Sequence, residues 1–206
     1  MLRLTLPALP STSKALRPSL FATAALCLCS APGVLLAGAL SPHQQNVLRR
    51  HEAHQAHQSA RTAKVQAQNK ALASGNVVAA AYAFRGTRYV MGGTSRSGFD
   101  CSGFVRYILS ATDGVELPRT ATEQYYHGTP IPTEQLQPGD LVFFKGTYKS
   151  GISHVGIYAG GGKFIHAANA HKGVRMDNLG DSYYQAHYAG ARRVLPEQMR
   201  AAAYAR

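Results

Sequence analysis

The chain has 206 residues, with 22 lysines and arginines against 10 acidic residues, for a net charge of +12. That length suits one ordinary domain plus an extension, and the charge favours anionic partners such as wall polymer or lipid headgroups. Aromatic residues make up 9% of the chain and form no repeat with the basic ones, which argues against a nucleic-acid-binding protein.

The extension comes first. Residues 1–18 carry only basic charges, Arg3, Lys14 and Arg17, and an uncharged apolar run follows from Ser19 to Leu40. It closes on Ala37-Gly38-Ala39, the small-x-small pattern cut by signal peptidase, so residues 1–39 are expected to be a secretory signal. Pro32 and Gly33 interrupt the run and weigh against a permanent span, although an uncleaved N-terminus would keep the protein near the membrane. Leu28 is too large to precede a lipid-modified Cys29. Cleavage would remove Cys27 and Cys29 and leave Cys101 as a lone thiol in a compartment where disulfides form. The mature chain would keep 19 basic and 10 acidic side chains.

Residues 40–75 are rich in Gln, Ala and His, contain no aromatic residue and offer no continuous apolar face. They read as a polar tether or solvated helix. His51, His54 and His57 recur at a helical spacing that could gather a metal, but a merely polar stretch explains them better. From Asn76 the texture changes. "NVVAAAYAFRG" predicts a helix over 77–85, capped by Asn76. "TRYVMGG" is extended and ends in a glycine turn, and "DCSGFVRYILSATDG" predicts a helix closed by Gly114. "ELPRTATEQYYHG" reads as a loop. Strands are expected at 141–144, 154–159, 163–167, 174–177 and 188–194, and the last residues, 196–206, as a loose helical tail. Helices first and antiparallel hairpins after make an α+β domain over 76–195.

Cys101 lies between turn-forming "GGTSRSGFD" and the apolar stripe of Phe104, Val105, Ile108 and Leu109. It therefore falls in the first turn of a core helix, where unpaired N–H groups and the helix dipole favour a thiolate of lowered pKa. His154 and His166 sit on successive strands around a glycine turn expected at Gly160-Gly161, close enough to face the same way. One can take the proton of the sulfur while the other fixes its ring, the logic of a catalytic triad. A zinc site is disfavoured because no CxxC or HxxxH spacing is present.

The ordered set "RYVMGGTSRSGFDCSGFVRYIL", "LPRTATEQY", "LQPGDLVFF", "ISHVGIYAGGGKFIHAA" and "GVRMDNL" closely resembles the NlpC/P60 family of bacterial cell-wall cysteine peptidases, over about residues 76–195. The resemblance implies a papain-like core, with the nucleophile-bearing helix packed on an antiparallel sheet. It implies hydrolysis of peptidoglycan at D-γ-glutamyl–diaminopimelate or, in a compact Gram-negative branch, at the D-alanyl–diaminopimelate cross-link. It places the nucleophile at Cys101, the base at His154 and the third polar residue at His166. Tyr89 aligns with a tyrosine that helps bind the oxyanion, and Asp100 and Ser102 with residues lining the substrate cleft. Arg119 joins them as a candidate substrate-binding residue, although bracing its loop suits it better. The expected protein is a periplasmic or envelope monomer acting on peptidoglycan without metal or cofactor. A wall-binding module that has lost catalysis and a thiol amidase or acyltransferase on another envelope substrate are the alternatives.

Overall fold

The computed structural model describes residues 41–195. The expected signal, 1–39, and tail, 196–206, lie outside them. Two units are distinguishable, Met1–Gln45 and Asn46–Arg206, and every strand among the described residues lies in the second.

Helix α1 (Pro42–Ala73) accounts for nearly all of the polar stretch. Ser41 opens it reciprocally: its hydroxyl accepts from the Gln44 N–H, and the Gln44 side chain accepts from the Ser41 N–H. Its residues are exposed until Gln68 and Leu72 meet the domain, as befits a helix polar on all sides. His54 shares a 2.7 Å hydrogen bond with Gln58. Among the described residues no cluster of three or more His, Cys, Asp or Glu could hold a metal, and no helix is long and apolar enough to cross a membrane.

Helix α2 (Val77–Ala83) starts where Asn76 accepts from the Ala79 N–H at 2.9 Å. It stops two residues before the expected end, because the Phe84 N–H closes back on Ala81. Tyr89 then bridges Phe99, and a two-residue ribbon forms between β1 (Thr94–Ser95) and β2 (Gly98–Phe99), where only flexible turn was expected. Helix α3 (Cys101–Asp113) begins at the cysteine and ends on Gly114 in the left-handed conformation, φ 66°. Phe104, Val105, Ile108 and Leu109 on its inner face are fully buried, and Phe99 packs edge-on against Phe84 and Phe104. Each large apolar side chain removed from water in this way stabilises the fold by about 1.5–3 kcal/mol. The segment read as a loop contains a further helix, α4 (Ala121–Tyr125), held by a capping box between Thr120 and Glu123.

One antiparallel sheet of six strands carries the second half. Its strands are β3 (Thr129–Ile131), β4 (Leu141–Lys145), β5 (Ile152–Gly160), β6 (Lys163–Ala167), β7 (Val174–Asn178) and β8 (Tyr188–Arg193), preceded at its end by helix α5 (Ser182–His187). The spatial order is β3-β8-β4-β5-β6-β7, so the last strand inserts beside β4. Alternation divides the sheet into two faces. Val155, Ile157, Ile165 and Ala167 join α2 and α3 in the main core, while Phe144 and Phe164 form a second cluster with Tyr184 of α5. The β5–β6 turn is centred one residue later than expected: Gly160 pairs with Lys163, leaving Gly161-Gly162 as the turn, both at positive φ. The pairing is irregular between Tyr158 and Gly160, and this shift moves the centre. Asp140, in the Pro-Gly-Asp turn, accepts from the Gln137 N–H and receives both arms of the Arg193 guanidinium.

Candidate active site

The start of α3 is built by its N-cap. Asp100 accepts from the Gly103 N–H at 2.7 Å and from the Gly92 N–H at 3.0 Å, tying the helix to the preceding loop. The approach is tight: a Cβ on Gly103 would stand 2.2 Å from the Gly93 carbonyl oxygen, so only glycine fits there. Arg119 forks onto both Asp100 oxygens, at 3.1 and 2.5 Å, and donates to the Ser102 hydroxyl at 3.0 Å. Gln124 of α4 donates to the Ser102 and Pro118 carbonyls, which fixes the Arg119 loop. Asp100, Ser102 and Arg119, all expected as substrate-binding candidates and Arg119 also as a loop brace, thus form one bonded cluster around the helix start. The polar atoms of the first two are engaged inside it.

Cys101 is only 4% exposed. Its sulfur lies 4.0 Å from the Ser153 carbonyl oxygen and takes a backbone hydrogen bond from Val155, the two residues flanking His154 on β5. The expectation of an acidified thiol is overturned. Burial, reinforced by the Asp100 carboxylate, pushes the Cys101 thiol up to about 11, against the pull of the Val155, Ser102 and Cys101 N–H groups. The helix start does supply donors, but desolvation of a buried sulfur outweighs them.

His154 and His166 lie on the sheet face of Phe144 and Phe164, opposite the main core. Continuing the β5–β6 register sets Gly156 against His166, and the missing side chain matters. A Cβ there would come 3.1 Å from the His166 Cβ and 2.7 Å from Phe164 Cδ2. Phe164 and His166 thus close over Gly156, and the His166 ring meets His154, with Nδ1 of His166 2.6 Å from Nε2 of His154 and the rings nearly perpendicular at 85°. Burial holds both imidazoles below their ordinary pKa; for His154 the neighbouring His166 adds to the effect, and for His166 the Asp177 carboxylate opposes it. At rest the site therefore holds a neutral thiol and neutral imidazoles.

The chain of contacts does not stop at the second histidine. Nε2 of His166 lies 3.0 Å from Oδ2 of Asp177 on β7, an acid that sequence reasoning missed. Asp177 also accepts from the Tyr184 hydroxyl at 2.6 Å and pairs with Arg175 at 2.5 Å. Burial alone would raise the Asp177 carboxyl, but hydrogen bonds from His166 and Tyr184, with the charge of Arg175, hold it well below the ordinary carboxylate range. The signal was available: 174–177 was read as a strand after the His166 strand, and antiparallel pairing of the two puts Arg175 opposite His166 and Asp177 opposite Phe164 on the same face.

His154, His166 and Tyr89 open onto a cavity of about 620 Å³, whose wall also carries Tyr148, Asn169 and Lys172. Burial, and after it the neighbouring Cys101 and Asp100, push the Tyr89 phenol up to about 12, so it stays a hydrogen-bond donor at any neutral pH. Its hydroxyl donates to the Met91 sulfur at 3.8 Å, a weak partner that a stronger acceptor would displace.

The model of the NlpC/P60 family matches residues 86–193, just over half of the chain. The chain is 43% identical over 128 residues to the gamma-DL-glutamyl hydrolase of Bacillus subtilis, covering 62% of this chain and 31% of that protein. It is 42% identical over 119 residues to murein DD-endopeptidase MepH of Escherichia coli, covering 56% and 44%. It spans less than half the length of these two relatives. The crystal structure of an NlpC/P60 family protein from Bacillus cereus superposes with a TM-score of 0.56 at 38% identity, covering 60% of this chain and 41% of that one.

Proposed function

The chain belongs to the NlpC/P60 family, and from that premise we propose that it is a cysteine peptidase that hydrolyses an amide bond in the stem peptide or cross-link of peptidoglycan. The observation that carries the proposal is the bonded pair His154–His166 on the wall of an open cavity, with the Cys101 sulfur held against the backbone of Ser153 and Val155 on either side of His154. Lys172 on the cavity wall suits a substrate rich in carboxylates. The relatives' names, one a murein endopeptidase and one a glutamyl hydrolase, point to the same substrate class. Peptidoglycan lies outside the cytoplasm, so the protein acts in the cell envelope, consistent with a cleaved signal over 1–39.

The neutral resting pair sets the order of events. As the sulfur attacks the scissile carbonyl, its proton passes to His154, so no free thiolate need accumulate in the empty site. The new C–S bond pushes the carbonyl electrons onto oxygen, where the Cys101 N–H and the Tyr89 hydroxyl donate to the oxyanion. Protonated His154 then gives its proton to the departing amine as the C–N bond breaks. Water, deprotonated by His154, attacks the thioester, and the expelled sulfur recovers its proton.

The test is incubation of the protein with diaminopimelate-type peptidoglycan and mass spectrometry of the released fragments, with Cys101→Ala as control. Loss of cross-linked dimers identifies a D-alanyl–diaminopimelate endopeptidase, and dipeptide-shortened stems identify a D-γ-glutamyl–diaminopimelate peptidase. Fragments identical to those of the control would overturn the proposal.

A further inference from the structure

We propose that Asp177 is a positioning residue which, by hydrogen-bonding the Nε2–H of His166, sets the tautomer of both histidines and leaves Nδ1 of His154 bare to act as the base. The inference rests on Cys101 being the nucleophile and extends the site beyond its three predicted members.

The argument is a count of donors and acceptors. Asp177 is met by the Tyr184 hydroxyl at 2.6 Å and by Arg175 at 2.5 Å, both donors, so its carboxylate acts as an acceptor. The third partner, Nε2 of His166 at 3.0 Å, must then carry a hydrogen. A neutral imidazole has one N–H, so Nδ1 of His166 is a bare acceptor. The 2.6 Å contact between Nδ1 of His166 and Nε2 of His154 has only one arrangement left, with His154 donating. That consumes the single N–H of His154 and leaves its Nδ1 with a free lone pair. Nδ1 is the ring nitrogen nearer the backbone, and the Cys101 sulfur lies along that backbone between Ser153 and Val155. Each inference is forced by the one before it, and the first is the carboxylate.

An amide at 177 can reverse the sequence. Asn could turn its NH2 toward Nε2 of His166, which would place the His166 hydrogen on Nδ1. His154 would then accept at Nε2 and carry its own hydrogen on Nδ1, the nitrogen that should act as the base. Other charged groups facing this relay are Lys172, beside His166, and Asp181, on the same cavity wall.

The experiment reads tautomers directly in the full chain, by long-range proton–nitrogen correlation spectra of 15N-histidine-labelled protein, and pairs them with kinetics. Expected are Nε2–H forms for both His154 and His166 in the native protein and a change of form in Asp177→Asn. With peptidoglycan fragments, Asp177→Asn should lower kcat by about 10²- to 10⁴-fold, the scale of a general base, with KM little changed. Asp177→Glu should recover part of the loss. Tyr184→Phe, which removes one donor and keeps the carboxylate, should leave the tautomers as they are. An Nδ1–H form of His154 in the native protein, or an unchanged kcat in Asp177→Asn, overturns the proposal. The spectra need no turnover, so native tautomers as described in a protein that cleaves nothing would sink the functional reading while leaving the tautomer assignment itself intact.

Discussion

Replacing Asp100 by Asn separates the two things its carboxylate does. The amide keeps the size of the side chain and one acceptor oxygen, enough for the Gly103 N–H that caps α3. Its NH2 then faces the donors that the other oxygen satisfied, the Gly92 N–H at 3.0 Å and the Arg119 fork at 2.5 Å. The Arg119 side chain is 37% exposed, so solvent screens the lost ion pair to about 0.5–1 kcal/mol. Leaving a partly buried N–H unsatisfied costs about 1 kcal/mol more. The variant should be about 2 kcal/mol less stable, moving a urea midpoint down by roughly 1 M. The same substitution removes the negative charge that, after burial, holds the thiol up. Cys101 should therefore become more acidic as the protein becomes less stable. The assay is the rate of Cys101 alkylation by iodoacetamide against pH, followed by intact mass alongside urea unfolding. The wild-type rate should still be climbing above pH 9, and the variant's profile should shift toward neutral pH. A profile that stays put or moves upward would refute the electrostatic account of the buried thiol.

Other expectations follow from the same contacts. Gly156→Ala places a Cβ 2.7 Å from Phe164 and 3.1 Å from His166, so it should cost about 1–3 kcal/mol by overpacking and, by displacing His166, lower kcat at least tenfold; wild-type turnover would show that the His154–His166 contact is dispensable. Acid should loosen the fold early. His154 and His166 have folded pKa values below 6.5, so the unfolded chain takes up protons first, and stability is lost as the pH falls below that value. The slope is up to about 1.4 kcal/mol per pH unit for each histidine. Asp177, depressed in the fold, adds a further loss below about pH 4. Urea midpoints at pH 7, 6 and 5 should decline in order, and a flat series would contradict the buried neutral pair.

What could be read in advance was what local periodicity encodes. The stripe of Phe104, Val105, Ile108 and Leu109, with Gly114 after it, announced α3, and glycine-bounded apolar runs announced β4 to β8 to within a few residues. Elements defined by distant partners were not legible. Thr129–Ile131 contains Pro130 and is a strand only because β8 lies beside it. Helix α4 carried its signal in Thr120 and Glu123, a capping box that was passed over in a segment rich in loop formers. At the proposed site, chain position singled out Cys101 as the candidate, but the direction of its acidity depended on burial and on Asp100, which a helix-start argument does not contain. The role of Asp177 depended on the register between β6 and β7.

Under the proposed function, the interleaving of β8 between β3 and β4 has a consequence for when the protein could begin to act. A chain that emerges N-terminus first presents Cys101 on its helix long before the hairpin bearing its histidines. Even with that hairpin formed, β4, the neighbour that steadies His154's strand, would remain an open edge. Only arrival of the final strand closes it. If the proposed function holds, competence awaits β8, and a copy lacking that strand would carry Cys101 beside an incompletely supported His154.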